Sequence, residues 1–294
     1  MTDLCIETII PWSQRPELEQ TLRQNTPILE AMGSDVIVVN CGGDSRALRK
    51  ILSSKDLVRT TQVDLPVTRF NRSLALNIGV HAAKDGVVFV LDADILLTGS
   101  LRQHAEVCAH RNCFAILAGM TAVPPREPRF TPPSGSILLK IVEETRDSYH
   151  WLDGTVTQVV RERLDWGSDR RTAPGIMLVQ KKHLVSVGGY RSDFLGWGWE
   201  DIDVQVRLLR LGLECIHIDE EIKHLEHSDD KRDLSGPMTE FKNANRSSVW
   251  SAYCVGRFIG TYKTDVDTWQ SVISRLRSSH EPDPVRIVER ARMK

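Results

Sequence analysis

The sequence predicts an α/β protein built on a mostly parallel sheet with helices on both faces. Three observations carry this. Unbroken apolar strand segments alternate with helical ones through the first third of the chain. Those strands are apolar on both faces, as strands covered by helices on each side must be. One of them, GVVFVLDAD (Gly86–Asp94), ends abruptly in acid, at the kind of strand end where open parallel sheets gather ligands.

The elements follow in order. IETIIP (Ile6–Pro11) reads as a buried strand, and Pro16–Met32 as a helix. DVIVVN (Asp35–Asn40) is a second strand, ended by Gly42-Gly43, and Asp44 then caps a helix over Ser45–Ser53. LVRTTQV (Leu57–Val63) reads as a third strand. Phe70–Lys84 has helical spacing, with Leu74, Ile78 and Ala82 on one face. Cys113–Met120 is a further strand, the proline-rich Val123–Ser136 is irregular, and Ile137–Arg163 carries mixed helical signals. GIMLVQ (Gly175–Gln180) returns to the strand pattern, and the KKHLVSVGGY that follows turns. EDIDVQVRLLRLG (Glu200–Gly212) is an amphipathic helix with acids first, arginines late and glycine as its stop. ECIHI (Glu214–Ile218) is a strand, and the remainder reads as helix with a charged tail from His280.

The bulk numbers bound the partners. A chain of 294 residues, 41% hydrophobic, builds one large or two modest domains. A net charge of -1 argues against a nucleic-acid coat or a polybasic membrane binder. Asp3 and Glu7 stand where a signal peptide needs cations, and no apolar run nears the roughly 20 residues of a membrane span. A soluble, cytoplasmic protein is expected. Cys5, Cys41, Cys108, Cys113, Cys215 and Cys254 are scattered without a CxxC pair, which fits free thiols better than zinc or a disulfide framework.

Three stretches carry chemistry. Asp92 and Asp94 sit one residue apart beyond an apolar strand, where they suit a hard cation bridging to phosphate, although an acidic turn has the same form. HLEHSDDK (His224–Lys231) places two histidines three apart, and imidazole favours manganese over magnesium, although two surface histidines in a charged loop look alike. GWGWEDID (Gly196–Asp203) sets Trp197 and Trp199 among glycines and then begins a helix with Glu200 and Asp201. The helix dipole explains acids at a helix start, at about 0.3–1 kcal/mol each. It does not explain the indoles, which form good platforms for the apolar faces of sugars.

These stretches, in this order, resemble the beta-1,4-galactosyltransferase family and more broadly the inverting GT-A glycosyltransferases. IIPWSQR (Ile9–Arg15) resembles the family's IIPFRNR, FNRSLALNIG (Phe70–Gly79) its FNRAKLLNVG, and LDADILL (Leu91–Leu97) its DVD strand end. GWGWEDID is similar to GWGGEDDD, and HLEHSDDK resembles the segment in which HSRDK follows a metal-binding position. The resemblance implies a GT-A fold and transfer of a hexose or N-acetylhexosamine from a UDP-sugar to an acceptor hydroxyl. The acceptor would be a carbohydrate, a small molecule or a peptide. It implies that Pro11, Arg15, Phe70 and Arg72 hold the nucleotide with Asp92, and that Asp94, His227 and His224 ligate Mn2+, with Mg2+ as the alternative. Trp197 would touch sugar and phosphate on a mobile loop, Asp201 would be the catalytic base, and Glu200 would bind the acceptor beside Trp199.

The departures are specific. Ser13 stands where the family has arginine, and Trp199 replaces a glycine, so the acceptor side should be narrowed. Thr172-Ala173-Pro174 lies near the donor-discriminating stretch without its aromatic and glycine content, which leaves galactose itself open. Val123–Ser136 has no counterpart, and the animal enzymes' membrane anchor has none here, which points to a bacterial, cytosolic protein. The expected division is a single transferase domain over 1–235, with a nucleotide-sugar half (1–110) and an acceptor half (111–235), and a helical extension over 236–294. A sugar nucleotidyltransferase, a metallohydrolase using Asp92, Asp94, His224 and His227, and a non-catalytic carbohydrate binder using Trp197 and Trp199 remain as rivals. The sequence leaves oligomeric state open.

Overall fold

A computed structural model describes residues 4–138, 140–194, 196–227, 237–278 and 285–288. Strand β1 (Ile6–Trp12) leads into α1 (Glu17–Met32), β2 (Ser34–Cys41), α2 (Ser45–Leu52), β3 (Thr60–Leu65), α3 (Arg72–Ala82) and β4 (Val87–Val90). This half is the expected parallel sheet. β1 pairs with β2 and β4, and β2 with β3, all parallel. Asp44 caps α2 as expected, its carboxylate accepting from the N–H groups of Arg46 and Ala47. Two expectations shift here. The third strand starts at Thr60, leaving Leu57 and Val58 as buried loop residues. The strand expected to reach Asp94 pairs only to Val90, so both acids stand in the loop beyond it.

The second half is mixed rather than parallel. It comprises β5 (Ile95–Leu97), α4 (Arg102–His110), β6 (Cys113–Val123), β7 (Val142–His150), β8 (Val156–Asp165), β9 (Arg170–Gln180), α5 (Lys181–Ser186), α6 (Glu200–Arg210), β10 (Glu214–Ile218), β11 (Ile222–Leu225), α7 (Met238–Cys254), α8 (Tyr262–Ser278) and β12 (Val285–Val288). The sheet runs β12-β3-β2-β1-β4-β9-β6-β11-β5, with β10 on β6 and the β7–β8 hairpin on β9. β9 is antiparallel to both β4 and β6.

The mixed helical signals over Ile137–Arg163 are overturned: this stretch forms the β7–β8 hairpin. Its glutamates and arginines favour helix locally, but cross-strand pairing decides. Its turn is written in the sequence after all. Gly154 adopts φ +81°, and Asp153 accepts from the Thr155 N–H at 3.0 Å. The KKHLVS stretch expected to turn is the short helix α5. The charged tail from His280 includes β12, which pairs antiparallel with β3.

Strand alternation builds two cores. Val36 and Val38 face one, with α1, α2 and α4; Ile37 and Val39 face the other, with α3 and α6. Each such fully buried aliphatic side chain contributes about 1.5–3 kcal/mol. A third, smaller cluster joins Trp199, Ile202 and Val206 to Val249 and Tyr253 of α7. Among the described residues no helix is long and apolar enough to cross a membrane.

Candidate active site

The site lies in the loops after β1 and β4, closed by α6 and β11. Its acid loop is fixed from behind by a buried polar stripe on α1. Thr21 and Asn25, four apart on α1 and so on one face, reach across to it. The Thr21 hydroxyl donates to the Ala93 carbonyl at 2.8 Å. The Asn25 amide donates to the Ile95 carbonyl and accepts from the Leu97 N–H, each at 2.8 Å. The backbone on both sides of Asp94 is therefore pinned, and the carboxylates project from a rigid turn.

β11 brings the histidines to that turn. His224 pairs in register with Ile95 of β5, and the Leu225 N–H donates to the Asp94 carbonyl at 2.8 Å. His227 Nε2 then lies 3.0 Å from Asp94 Oδ2, and His224 Nε2 lies 3.8 Å from the same oxygen. Ligand atoms of the three residues all fall within 4.8 Å of one another. Ligands held about 2.1 Å from one ion sit roughly 3–4 Å apart, so the trio fits a single cation. One carboxylate with two imidazoles suits a divalent transition-metal ion. Burial would raise the Asp94 carboxyl, but the His227 hydrogen bond and the charges of His224 and His227 hold it low. The Ser228–Lys231 end of the histidine motif lies outside the described residues.

Arg72 ties the two acid pairs together. From the first turn of α3 its Nε donates to Asp92 Oδ1 at 2.9 Å and its Nη1 to Asp201 Oδ1 at 2.6 Å. A third donor, Nη2, reaches the Gly175 carbonyl at 3.2 Å. Gly175 must be glycine for this to fit. A Cβ there would sit 2.7 Å from Asp201 Oδ2 and 2.8 Å from Arg72 Nη2. Burial opposes the Arg72 charge, but Asp201 and Asp92 outweigh it and hold its pKa well above the usual value. Arg72 was expected on the nucleotide; in the structure its donors meet the two acids and the β9 backbone. Burial first, then Asp94 and Asp201, push the Asp92 carboxyl up against the pull of Arg72.

Asp201 Oδ2 makes no hydrogen bond to the described residues, and the side chain is 22% exposed. That oxygen is free to take a proton. Glu200, one residue earlier, is 6% exposed. Burial, then repulsion by Asp201, raises its pKa to about 7. Glu200 is thus the buried acid of the pair, and Asp201 the reachable one.

The GWGW loop is held differently from the expectation of a loose, glycine-hinged segment. Gly196 and Gly198 have φ of +59° and +101°, and a Cβ on either would collide with Phe241 or Lys242 of α7. The glycines therefore serve the turn and the close approach of α7. Trp197 is partly exposed, with Lys242 Nζ 4.6 Å from its ring centre. Trp199, expected beside the acceptor, is a core residue at 9% exposure. It sits at φ +80°, a left-handed conformation that glycine would adopt without cost.

On the nucleotide side Pro11 is buried at the end of β1 and Phe70 stands 40% exposed. Arg15 follows β1, its carbonyl accepting from the Trp12 indole at 2.8 Å. Its Nη1 is buried without a hydrogen-bond partner, and its charge also lowers Asp94. A buried, unsatisfied guanidinium donor beside a cation site is a ready contact for an anionic oxygen.

The motifs did not point to Tyr190, fully buried with its hydroxyl unpaired, which Asp201 helps to keep protonated after burial. Nor did they point to Glu226 and Arg171 beside His224. The HxE alternation in HLEH was the available signal.

Residues 160–231 match a family model described as the N-terminal domain of galactosyltransferase. This segment supplies Gly175, the α6 acids and both histidines. No curated protein matches the chain. In overall shape it is similar to the catalytic domain of Drosophila beta-1,4-galactosyltransferase 7 in complex with xylobiose, at 18% identity, 83% of this chain, 79% of that one and a TM-score of 0.45. It is similar also to the Pyrobaculum calidifontis mannosyltransferase PcManGT in complex with GDP-Man and Mn2+, at 13% identity, 95% and 76% coverage and a TM-score of 0.46. Both likenesses are distant.

Proposed function

We propose that this protein is a metal-dependent inverting glycosyltransferase that moves a hexose or N-acetylhexosamine from a UDP-sugar to an acceptor hydroxyl. The observation that carries it is the Arg72 bridge, which sets a reachable carboxylate, Asp201, across the cleft from a ready cation trio. In this reading Asp94, His224 and His227 hold the ion, whose charge, when bound, offsets that of the departing diphosphate.

The chain's own groups do the rest. Arg15 offers its unpaired Nη1 to a diphosphate oxygen, Pro11 and Phe70 flank the base, and Asp92 faces the ribose. Asp201 Oδ2 takes the acceptor's proton as that oxygen forms its bond to the anomeric carbon from the opposite face. The bond from that carbon to the diphosphate oxygen breaks, and the electron pair leaves with UDP. Arg72 stabilises the carboxylate and keeps it aimed. Trp197 covers the sugar, while Trp199 shapes the acceptor side from beneath rather than by contact. Residues 1–235 form the transferase part, and α7, from the 236–294 extension, sets the loop.

The test is a thermal-shift titration with UDP, GDP and ADP, each with and without Mn2+. A ligand at about 100 times its Kd adds roughly 2.7 kcal/mol, a rise of a few degrees at this size. A large rise with UDP only in the presence of Mn2+ is expected. A rise with Mn2+ alone, with nothing added by any nucleotide, would reject transfer and favour a metallohydrolase.

A further inference from the structure

We infer that Glu226 is a positioning residue that sets the tautomer of His224 and so lets that ring ligate a divalent cation. The inference rests on the proposed metal site. His224 and Glu226 are two apart on extended chain and share a face. The Leu225 N–H donates to Asp94 at 2.8 Å and the Glu226 N–H to Val123 at 2.9 Å, so pairing runs past the end of β11 and fixes both side chains.

The two ring nitrogens of His224 face different ways. Nε2 faces Asp94 Oδ2 at 3.8 Å, and Nδ1 lies 3.2 Å from Glu226 Oε1. A second group competes for Nδ1: Arg171 Nη2 stands 3.4 Å away. The two neighbours have opposite consequences. A neutral imidazole carries one proton. A carboxylate only accepts, so it requires the proton on Nδ1 and leaves the Nε2 lone pair facing Asp94. A guanidinium only donates, so it requires a bare Nδ1 and puts the proton on Nε2, where it blocks ligation.

The geometry favours Glu226. It is nearer, and it also engages its rival, since Arg171 Nη2 donates to Glu226 Oε1 at 3.1 Å. Arg126 Nη2 donates to both carboxylate oxygens, at 3.0 and 2.8 Å. Two guanidiniums thus hold the carboxylate in place, and the carboxylate engages the Arg171 donor that would otherwise claim Nδ1. Outer carboxylates that orient a metal-binding histidine typically change metal affinity 10–100-fold when removed.

The experiment titrates Mn2+ into the protein without nucleotide or sugar, read by calorimetry and by loss of the free-Mn2+ EPR signal. Glu226→Ala is expected to weaken Mn2+ about 10–100-fold, while in a His224→Ala background it adds nothing. Arg171→Ala combined with Glu226→Ala should recover part of the loss, because the competing donor is gone. Glu226→Gln keeps an acceptor oxygen and the packing, and should stay within a few-fold of wild type, which covers the case in which the alanine variant misfolds. Wild-type affinity in Glu226→Ala, an equal loss in the His224→Ala background, or a Gln variant as weak as Ala would each overturn the inference alone. Wild-type protein that takes up no Mn2+ would overturn the metal site and this inference with it.

Discussion

On the Asp94 side the cleft is held by strands and backbone, and on the Asp201 side by a helix end anchored through a buried ion pair. Asp94 is positioned by the β5–β11 register and by Thr21 and Asn25 from α1. Asp201 depends on α6, which Arg207 fastens. Arg207, almost wholly buried, pairs with Asp203 at 2.6 Å and donates to the Val187 and Gly189 carbonyls. Tyr253 of α7 donates to Asp203 Oδ1 at 2.8 Å. The two sides should therefore fail separately. Neutral hydrogen bonds to a pinned backbone tolerate a change of charge; a buried ion pair does not.

The largest expected effect is catalytic. Asp201→Asn should lower kcat by about 10²–10⁴, while the joint stabilisation by UDP and Mn2+ persists, as turnover assays and melting curves would show. Retained turnover would reject Asp201 as the base; lost UDP binding would show that the two sides are not separable. Next comes Arg207→Ala, which strands the Asp203 charge and should destabilise by about 3–5 kcal/mol in denaturant unfolding. Replacing both partners with apolar residues should restore much of this, and failure to do so would mean that Arg207 matters mainly for the carbonyls it binds.

The smallest is a pH effect. Glu200 has a folded pKa of about 7, raised from 4.5. Between those values the unfolded chain releases the proton and the folded one keeps it. Stability therefore falls as pH rises through that window and is flat above it. Glu200→Gln should remove a slope worth on the order of 3 kcal/mol. Identical pH dependence in both proteins would mean that Glu200 ionises normally.

The parts legible in sequence were those that local pattern dictates. The apolar strands, the Asp44 cap, the acids after β4 and the paired histidines all follow from periodicity and spacing, and the structure brings the last two together. What was hidden depends on long-range partners. Arg72 meets Asp201 across 129 positions, and no local rule says that its donors turn to acids rather than to a nucleotide. The β7–β8 hairpin pairs locally, yet it was obscured because VEETRDSYH is mostly polar and its glutamates and arginine favour helix. Trp199 looked like an exposed platform because nothing nearby in sequence shows that Val249 and Tyr253 cover it.

The return of β12 to β3 has a colloidal consequence. Without it, Thr60–Val63 would offer a row of unpaired backbone donors and acceptors to any second molecule, which is how sheet edges seed aggregation. At the opposite end β5 is only three residues long, too short to template much. Along the main strand order, one margin is thus covered by β12 and the other is cut short at β5.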